Sequence, residues 1–192
     1  MRIQIIEFDP SWPQAFSRIK QSLTSILDDI PILSIEHVGS TAVPGMASKP
    51  IIDIDIIVDP RNLPETCSAL STNGYTYNPE PRGIDRMSFR YNKHVHDSGA
   101  TRQTEDGDIR RAVYVNMPEG VALKNHLAVR GVLMKHPELV AEYSRVKREL
   151  AAREFESIGM YVQGKNAVLE KILARVDLGE EEWNAIRHFN GL

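Results

Sequence analysis

Apolar residues recur along this chain in two periods, one typical of helices and one typical of strands. Near the start they return at steps of three and four residues, which predicts an amphipathic helix that ends near Pro31. Its apolar face consists of Trp12, Phe16, Ile19, Leu23, Ile26 and Ile30. Runs rich in β-branched or aromatic residues predict strands at residues 3–8, 35–38, 51–58, 75–77, 87–91 and 112–115. A short helix is predicted between Asn62 and Gly74.

Beyond Pro118 the apolar positions follow helical spacing alone. The predicted helices lie before His136, from Pro137 to Gly159, from residue 163 to 177, and around Trp183. We therefore predict an α/β core at residues 1–118 and a helical part at residues 119–192, packed together as one unit.

Composition limits the classes of protein that this chain can belong to. The net charge of −3 argues against a protein that coats nucleic acid without sequence preference, because such proteins are normally basic. Cys67 is the only cysteine, so no internal disulfide is possible and a reducing compartment is expected. No apolar run is long enough to span a bilayer, so we expect a cytoplasmic protein without a membrane partner.

The predicted strand at residues 51–58 carries two acidic side chains, Asp53 and Asp55. Because side chains alternate along a strand, both carboxylates point to one face. Like charges on an apolar strand repel each other and lose hydration unless something neutralises them. Mg²⁺ (or Mn²⁺) is a suitable partner for carboxylate oxygens. Gly39 and Ser40 precede the strand and form a loop whose backbone N–H groups can approach a phosphate.

Basic side chains are candidates for binding phosphate groups or an RNA backbone. The cluster around the strand predicted at residues 87–91 consists of Arg82, Arg86, Arg90 and Lys93. Arg86 and Arg90 alternate onto one face, which suits a triphosphate as well as it suits a solvated outer face. Lys49 either binds a phosphate as a point charge or lies in solvent.

Histidines also have two interpretations here. His37 is either a packed strand residue or a catalytic side chain, and we keep it as a catalytic candidate. His94, His96 and Asp97 lie in a polar stretch without periodicity at residues 93–109, which predicts a mobile loop. These residues could bind a metal ion, although loop histidines are usually solvated.

The chain resembles the GrpB family over most of its length. The residues that carry this resemblance are Asp9 to Pro13, His37-Val-Gly-Ser-Thr-Ala-Val-Pro-Gly45, Lys49-Pro50, Asp53, Asn125-His126-Leu127, Arg130, His136-Pro137, Tyr143, Lys147, Tyr161 and Lys165. That family belongs by fold to the nucleotidyltransferase superfamily, in which a Gly-Ser ends one strand and Asp-x-Asp lies on the next. The resemblance implies an α+β fold, with a nucleotidyltransferase-like mixed sheet, flanking helices and a C-terminal helical bundle.

Roles for particular residues follow from the same resemblance. It implies that Ser40 and the backbone of Gly39 hold the donor phosphates and that Asp53 and Asp55 hold metal ions. The full set that we expect to bind phosphate or substrate is Gly39, Ser40, Thr41, Lys49, Arg90, Arg130 and Lys165.

One part of the superfamily pattern is missing. A full site there has a third carboxylate on a later strand, whereas residues 111–115 read Arg-Ala-Val-Tyr-Val. The acids that could substitute, if a loop brings them in, are Asp85, Asp106, Asp108 and Glu119.

Three functions are therefore expected from the sequence. The first is metal-dependent transfer of a nucleotidyl group from a nucleoside triphosphate to an unidentified acceptor. The second uses an aminoacyl-tRNA for amide-bond formation of the cyclodipeptide kind, for which a basic RNA-binding surface is needed. The third is a nucleotide-binding module that has lost catalysis together with its third acid.

Overall fold

A computed structural model describes residues 2–79, 85–92 and 109–192. The helices are α1 (Trp12–Ile26), α2 (Leu63–Thr72), α3 (Val121–Leu133), α4 (Pro137–Ala151), α5 (Ile158–Gln163), α6 (Asn166–Leu173) and α7 (Glu180–Asn190). The strands are β1 (Ile32–Val38), β2 (Ile51–Val58), β3 (Tyr75–Asn78), β4 (Arg86–Tyr91) and β5 (Arg110–Asn116). The predicted α+β fold, with a sheet and flanking helices, is therefore confirmed.

The five strands form one mixed sheet in the order β1-β2-β5-β4-β3. Only β2 and β5 are parallel neighbours, and the other pairs are antiparallel. In the parallel pair Asp53 lies opposite Ala112 and Asp55 lies opposite Tyr114. Because paired residues share a face, these four side chains project from the same side of the sheet.

The opposite side of the sheet is apolar and is covered by α1 and α2. Trp12 on α1 is 1% exposed and packs in one cluster with Ile54 of β2 and Leu70 of α2. The alternation along β2, with isoleucines on one face and aspartates on the other, thus directs the apolar face towards these two helices.

Helices α3 to α7 lie on the polar side of the sheet. Their core joins residues from both sides of the predicted boundary at residue 118, since Val43 and Met46 pack with Leu139, Tyr143 and Ile172. A deep cleft lies between this helical layer and the aspartates of β2, and its walls are described below.

Two predicted elements differ from those observed. Residues 3–8 form no strand, and the chain there makes only isolated bridges, such as the pair Ile6 with Ser48. The third predicted helix, at residues 163–177, is shorter than expected, because α6 covers only Asn166–Leu173 and α5, which ends at Gln163, lies before it. A Cβ at Gly164, between α5 and α6, would lie 2.6 Å from Leu150 Cδ2, so the side chain of Leu150 on α4 would have to move to admit one.

Helices long and apolar enough to cross a membrane are not found in the described part of the chain. The predicted loop residues Lys93, His94, His96, Asp97, Asp106 and Asp108, together with Arg82, lie outside the described residues.

Candidate functional site

Asp53 and Asp55 occupy different environments, although they share one face of β2. Asp53 is half-buried and borders the cleft, whereas Asp55 is 0% exposed. The predicted orientation of the pair is therefore found, but only one of the two carboxylates is accessible from the cleft.

Asp55 is held by a histidine from α3. Nδ1 of His126 lies 2.9 Å from Oδ2 of Asp55, and Nε2 of the same ring lies 3.1 Å from Nη1 of Arg86. A guanidinium can only donate, so Nε2 accepts and Nδ1 carries the proton that it donates to Asp55. The ring is therefore neutral, and the carboxylate of Asp55 is satisfied by protein groups.

Asp53 is held in place by the turn that follows β1. Gly39 has a φ of 69°, and a Cβ there would lie 2.4 Å from Oδ2 of Asp53. The hydroxyl of Tyr114 lies 3.4 Å from Oδ1 of Asp53. Burial raises the pKa of the Asp53 carboxyl, and the nearby positive charge of Lys49 opposes that rise. Only a glycine leaves room for the carboxylate at this turn.

Three lysines, which we call the lysine cluster, converge on the cleft beside Asp53: Lys49, Lys147 and Lys165. They line, together with Ser40, Thr41, Ile51, Asp53, Ala112, Tyr114 and Tyr161, a cavity of 270 Å³. Nζ of Lys49 and Nζ of Lys165 lie 5.1 and 5.0 Å from the centre of the Tyr161 ring. Four chain segments that are distant in sequence thus supply one cationic cavity.

The lysine cluster is desolvated. Burial lowers the pKa of Lys165 to about 8, and the positive charge of Lys49 acts in the same direction. Burial also lowers the pKa of Lys147 well below its ordinary value and lowers that of Lys49. Crowded, partly dehydrated cations are stabilised by an anion, so the cavity is suited to a group with several negative charges.

A second cavity of 230 Å³ adjoins the first, with which it shares Ser40, Asp53 and Lys165. Its other walls are Gly39, Asn125, His126, Val129, Arg130, Leu133, Tyr143, Leu169 and Asn190. Arg130 donates to the carbonyl oxygen of His37 and lies 3.0 Å from Oε2 of Glu36. Arg130 therefore fixes the end of β1 and also faces the cleft.

The structure brings together most of the residues that the sequence predicted as a site. Those that line one or both cavities are Gly39, Ser40, Thr41, Lys49, Asp53, Arg130 and Lys165. Arg90 lies on the same face of the sheet, opposite Ala112, but it is exposed and lines neither cavity.

His37 projects to the apolar side of the sheet, opposite Ile54. Its ring stacks on Phe16 at 4.7 Å, and its Nε2 lies 3.0 Å from Oγ1 of Thr41. Thr41 donates its hydroxyl proton to the carbonyl oxygen of Ile51, so Nε2 of His37 is the donor in its contact with Thr41. Burial, with a contribution from Arg130, lowers the pKa of His37 to about 4. This placement argues against the predicted catalytic role, because the His37 ring lies on the side of the sheet opposite the cleft and holds the turn at Thr41 in place.

The residues present do not fit a closed two-metal centre. Among the described residues, no group of three or more His, Cys, Asp or Glu side chains is placed to hold a metal ion. Asp85 instead accepts hydrogen bonds from the backbone of α3, and Glu119 pairs with Lys124. Asp53 alone is accessible, which fits one Mg²⁺ or Mn²⁺ that arrives with phosphate oxygens and keeps its waters.

Sequence reasoning gave no site role to Lys147, Tyr114 or Tyr161. A signal for Lys147 was present, because it lies on the apolar stripe of α4 between Tyr143 and Leu150. A lysine on the buried face of a helix has to find a polar partner, and that requirement points to a site. Tyr114 carried no such signal, since an aromatic residue in a strand is ordinary.

Comparisons with known proteins agree with this architecture. The sequence model of the GrpB family, described as GrpB protein, matches residues 2–175. The UPF0157 protein YqkA of Bacillus subtilis is 31% identical over 170 residues, which are 86% of this chain and 44% of that protein. The chain thus spans less than half the length of that relative.

Solved structures show the same relationship at the level of the fold. The crystal structure of conserved protein GrpB from Enterococcus faecalis has a TM-score of 0.71 at 26% identity, covering 97% of this chain and 99% of that one. Cid1, solved in complex with its short product ApU, has a TM-score of 0.50 at 12% identity over 78% of this chain and 43% of that one. The α+β fold is therefore similar to that of nucleotidyltransferases, and the chain belongs to the GrpB family.

Proposed function

We propose that the cleft binds the triphosphate of a nucleoside triphosphate and that the protein transfers the nucleotidyl group to an acceptor. The observation that carries this proposal is the lysine cluster, which surrounds Ser40 and Asp53 at the end of β1. The reaction class is supported by the fold shared with nucleotidyltransferases. Among these Cid1, described as a poly(U) polymerase, has been solved with MgGTP bound.

The charge of the lysine cluster supports a polyphosphate ligand. Within the described residues, Lys49, Lys147 and Lys165 form no salt bridge with a carboxylate. Asp53 supplies one negative charge, so the cavity holds an excess of positive charge. A triphosphate would neutralise this excess and favour the protonated forms of Lys49 and Lys165, which burial disfavours.

Asp53 is the residue that would hold a metal ion in this proposal. Mg²⁺ is commonly bound through one or two carboxylates together with the phosphates of a substrate. Such an ion would supply charge neutralisation at the transferring phosphate. Asp55 has a different role, because it orients His126 at the wall of the second cavity.

Titration of the protein with ATP in the presence of Mg²⁺ tests the proposal by calorimetry. We expect Lys165→Gln to weaken binding about tenfold, which corresponds to roughly 1.4 kcal/mol for the loss of one charge-assisted contact. Lys171→Gln is the matched control, since Lys171 lies on α6, whose N-cap residue is Lys165, but is 60% exposed and pairs with Glu142.

The pH dependence gives an independent readout. The pKa of Lys165 without ligand is about 8, so the cationic form is lost as the pH rises through that value. Affinity for ATP is therefore expected to fall between about pH 7 and pH 9, and Lys165→Arg should abolish most of this fall because arginine stays charged. Absence of affinity for all four common nucleoside triphosphates would contradict the proposal.

A second candidate is a nucleotide-binding module without catalysis. It is favoured by the absence of an acid on β5 and by the engagement of Asp55 with His126. Pyrophosphate release separates the two functions: a transferase releases it when an acceptor is supplied and loses the activity in Asp53→Asn, whereas a binder shows affinity without product.

A further inference from the structure

Ser40 has a hydrogen-bond partner, Lys147, that is not needed for binding a phosphate group. Ser40 directly follows Gly39 and begins the short helical turn Ser40–Ala42 that comes after β1. It is half-buried and lines both cavities. Nζ of Lys147, on α4, is in hydrogen-bond contact with Oγ of Ser40. A serine on a sharp turn after a strand presents its oxygen to a bound substrate, as in the nucleophile turn of α/β-hydrolases.

The surroundings of Lys147 favour a neutral amine. The residue is 3% exposed, and the positive charges of Lys165 and Lys49 lie nearby, so its pKa falls well below the ordinary value although Asp53 opposes the fall. The other hydrogen-bond partner of Nζ is the carbonyl oxygen of Ala47, at 3.0 Å.

The two contacts of Nζ match the hydrogen-bonding capacity of a neutral amine. A neutral amine can donate one proton to the carbonyl of Ala47 and can direct its lone pair at the hydroxyl of Ser40. The ring of Tyr143, 4.3 Å from Nζ, closes the remaining side. Lys147 is therefore placed to accept a proton from Ser40.

We propose that Ser40 is a nucleophile and that Lys147 is its general base, so that the protein carries the transferred group on Ser40. Serine–lysine pairs of this kind are one of the recurring arrangements of nucleophilic catalysis. The identity of the donor as a nucleoside triphosphate rests on the function proposed above, whereas the reactivity of Ser40 does not.

The transfer through Ser40 takes place in two displacements at the α-phosphorus. Oγ of Ser40 attacks the α-phosphorus while its proton passes to Nζ of Lys147, the bond from phosphorus to the bridging oxygen breaks, and pyrophosphate leaves. An acceptor hydroxyl then attacks the same phosphorus while Oγ of Ser40 leaves and takes back the proton held by Lys147. The amine of Lys147, neutral again, accepts the proton of the acceptor hydroxyl and releases it to solvent. Lys49 and Lys165 line the same cavity, where their charge would stabilise the negative charge that develops on the phosphate oxygens.

A fluorophosphonate probe tests the nucleophile without a nucleotide. We expect peptide mapping by mass spectrometry to find Ser40 labelled about a hundredfold faster than Ser71, the size of effect that a general base provides. Ser71 is exposed, and among the described residues its hydroxyl bonds only the backbone carbonyl of Cys67, so it is an internal control in the same molecule. Equal labelling of the two serines would overturn the proposal.

Two lysine variants test whether Lys147 is the general base. Lys147→Met fills the same buried space without an amine and should reduce labelling of Ser40 to the rate of Ser71, while Lys171→Met should leave it unchanged. Labelling that persists in a folded Lys147→Met protein would exclude Lys147 as the base. If that variant fails to fold, the ratio between Ser40 and Ser71 in the wild-type protein still decides whether Ser40 is activated.

Incubation with ATP and Mg²⁺, without an acceptor, tests the donor. We expect an increase in mass of one adenylyl group on the peptide that contains Ser40, and its absence in Ser40→Ala. A phosphoryl group, or no adduct, on a protein that binds ATP would refute the covalent step while leaving nucleotide binding intact. A protein whose Ser40 is labelled by the probe but that has no affinity for nucleotides would keep the nucleophile and lose the function proposed above.

Discussion

Gly39 is the residue on which the arrangement of the site most depends. Its φ of 69° and ψ of −168° lie in a region that is essentially restricted to glycine. The missing side chain also leaves the space that Oδ2 of Asp53 occupies. One residue thus turns the chain after β1, presents Ser40 to the cleft and sets the position of Asp53.

Replacing Gly39 by alanine should therefore be much more harmful than the same change at Gly45. Gly45 also has a positive φ, 76°, but no atom lies within 4 Å of a Cβ placed there. We expect Gly45→Ala to lower the free energy of unfolding by about 1 kcal/mol from backbone strain. Gly39→Ala should lower it by about 2–4 kcal/mol, because a steric clash is added. Urea unfolding followed by tryptophan fluorescence measures both, and equal losses would contradict the assigned contact.

The sequence predicted the orientation of Asp53 and Asp55 because a period of two is a local property of a strand. It did not predict that His126 binds Asp55 or that Lys147 contacts Ser40. These partners are separated by 71 and 107 positions in the chain. Contacts over such distances are set by the packing of α3 and α4 on the sheet, which no local pattern contains.

At the scale of elements, α3 depends on a side chain from a different part of the chain. Its N-cap residue is Gly120, which has no side chain to satisfy the first backbone N–H groups. Asp85, just before β4, accepts hydrogen bonds from the N–H groups of Val121 and Ala122 instead. The acid that the sequence offered as a substitute metal ligand is therefore a helix cap, and it fixes the helix that carries His126.

Removal of this cap should destabilise the protein measurably. Asp85→Ala is expected to lower the free energy of unfolding by about 1–2 kcal/mol, and Asp85→Asn by less because an acceptor oxygen remains. Glu119→Ala is the control, since Glu119 is 88% exposed and pairs only with Lys124 among the described residues. Chemical denaturation monitored by circular dichroism gives the three values. A loss in Glu119→Ala as large as that in Asp85→Ala would show that the cap has no special role.

Helix periodicity predicted the starts of α1, α2 and α4, because each has an apolar stripe and a proline or asparagine near its start. Their ends were less well predicted, since α1 ends at Ile26 rather than near Pro31 and α4 ends at Ala151 rather than at Gly159.

The spacing of apolar residues gave wrong predictions where tertiary packing interrupts a helix or a strand. The apolar residues from 163 to 177 have helical spacing, but α6 covers only Asn166–Leu173, and the residue before its N-cap, Gly164, packs closely against Leu150 of α4. Likewise, residues 3–8 alternate like a strand but find only the isolated partner Ser48, at Ile6.

At the scale of the molecule, the predicted parts at residues 1–118 and 119–192 are held together by buried contacts. Oγ of Ser144, on α4, accepts a hydrogen bond of 3.0 Å from the N–H of Ala47 and lies 3.3 Å from the sulfur of Met46. Both walls of the cleft meet at this point. Because Lys147 follows one turn later on α4, the same packing sets the contact between Lys147 and Ser40.

If the two parts form one cooperative unit, a change at their contact must affect both equally. Ser144→Ala leaves the buried N–H of Ala47 without its partner, which should lower the free energy of unfolding by about 1–3 kcal/mol. The measurement is made in a protein that also carries Trp183→Phe. Trp12, on the apolar side of the sheet, is then the sole tryptophan, and its fluorescence reports on residues 1–118. Far-UV circular dichroism reports mainly on the helices, most of which, among those described, lie after residue 118.

Both signals should shift to lower urea by the same amount and keep coincident midpoints, as two-state unfolding requires. Trp183 is only partly buried and packs near Arg187, so the background substitution itself should leave the midpoint close to that of the wild-type protein. If the dichroism midpoint fell while tryptophan fluorescence stayed unchanged, the helical part would unfold on its own. The lysine cluster would then be a site between two separable domains, because Lys147 and Lys165 come from the part after residue 118 whereas Lys49 and Ser40 come from the part before it.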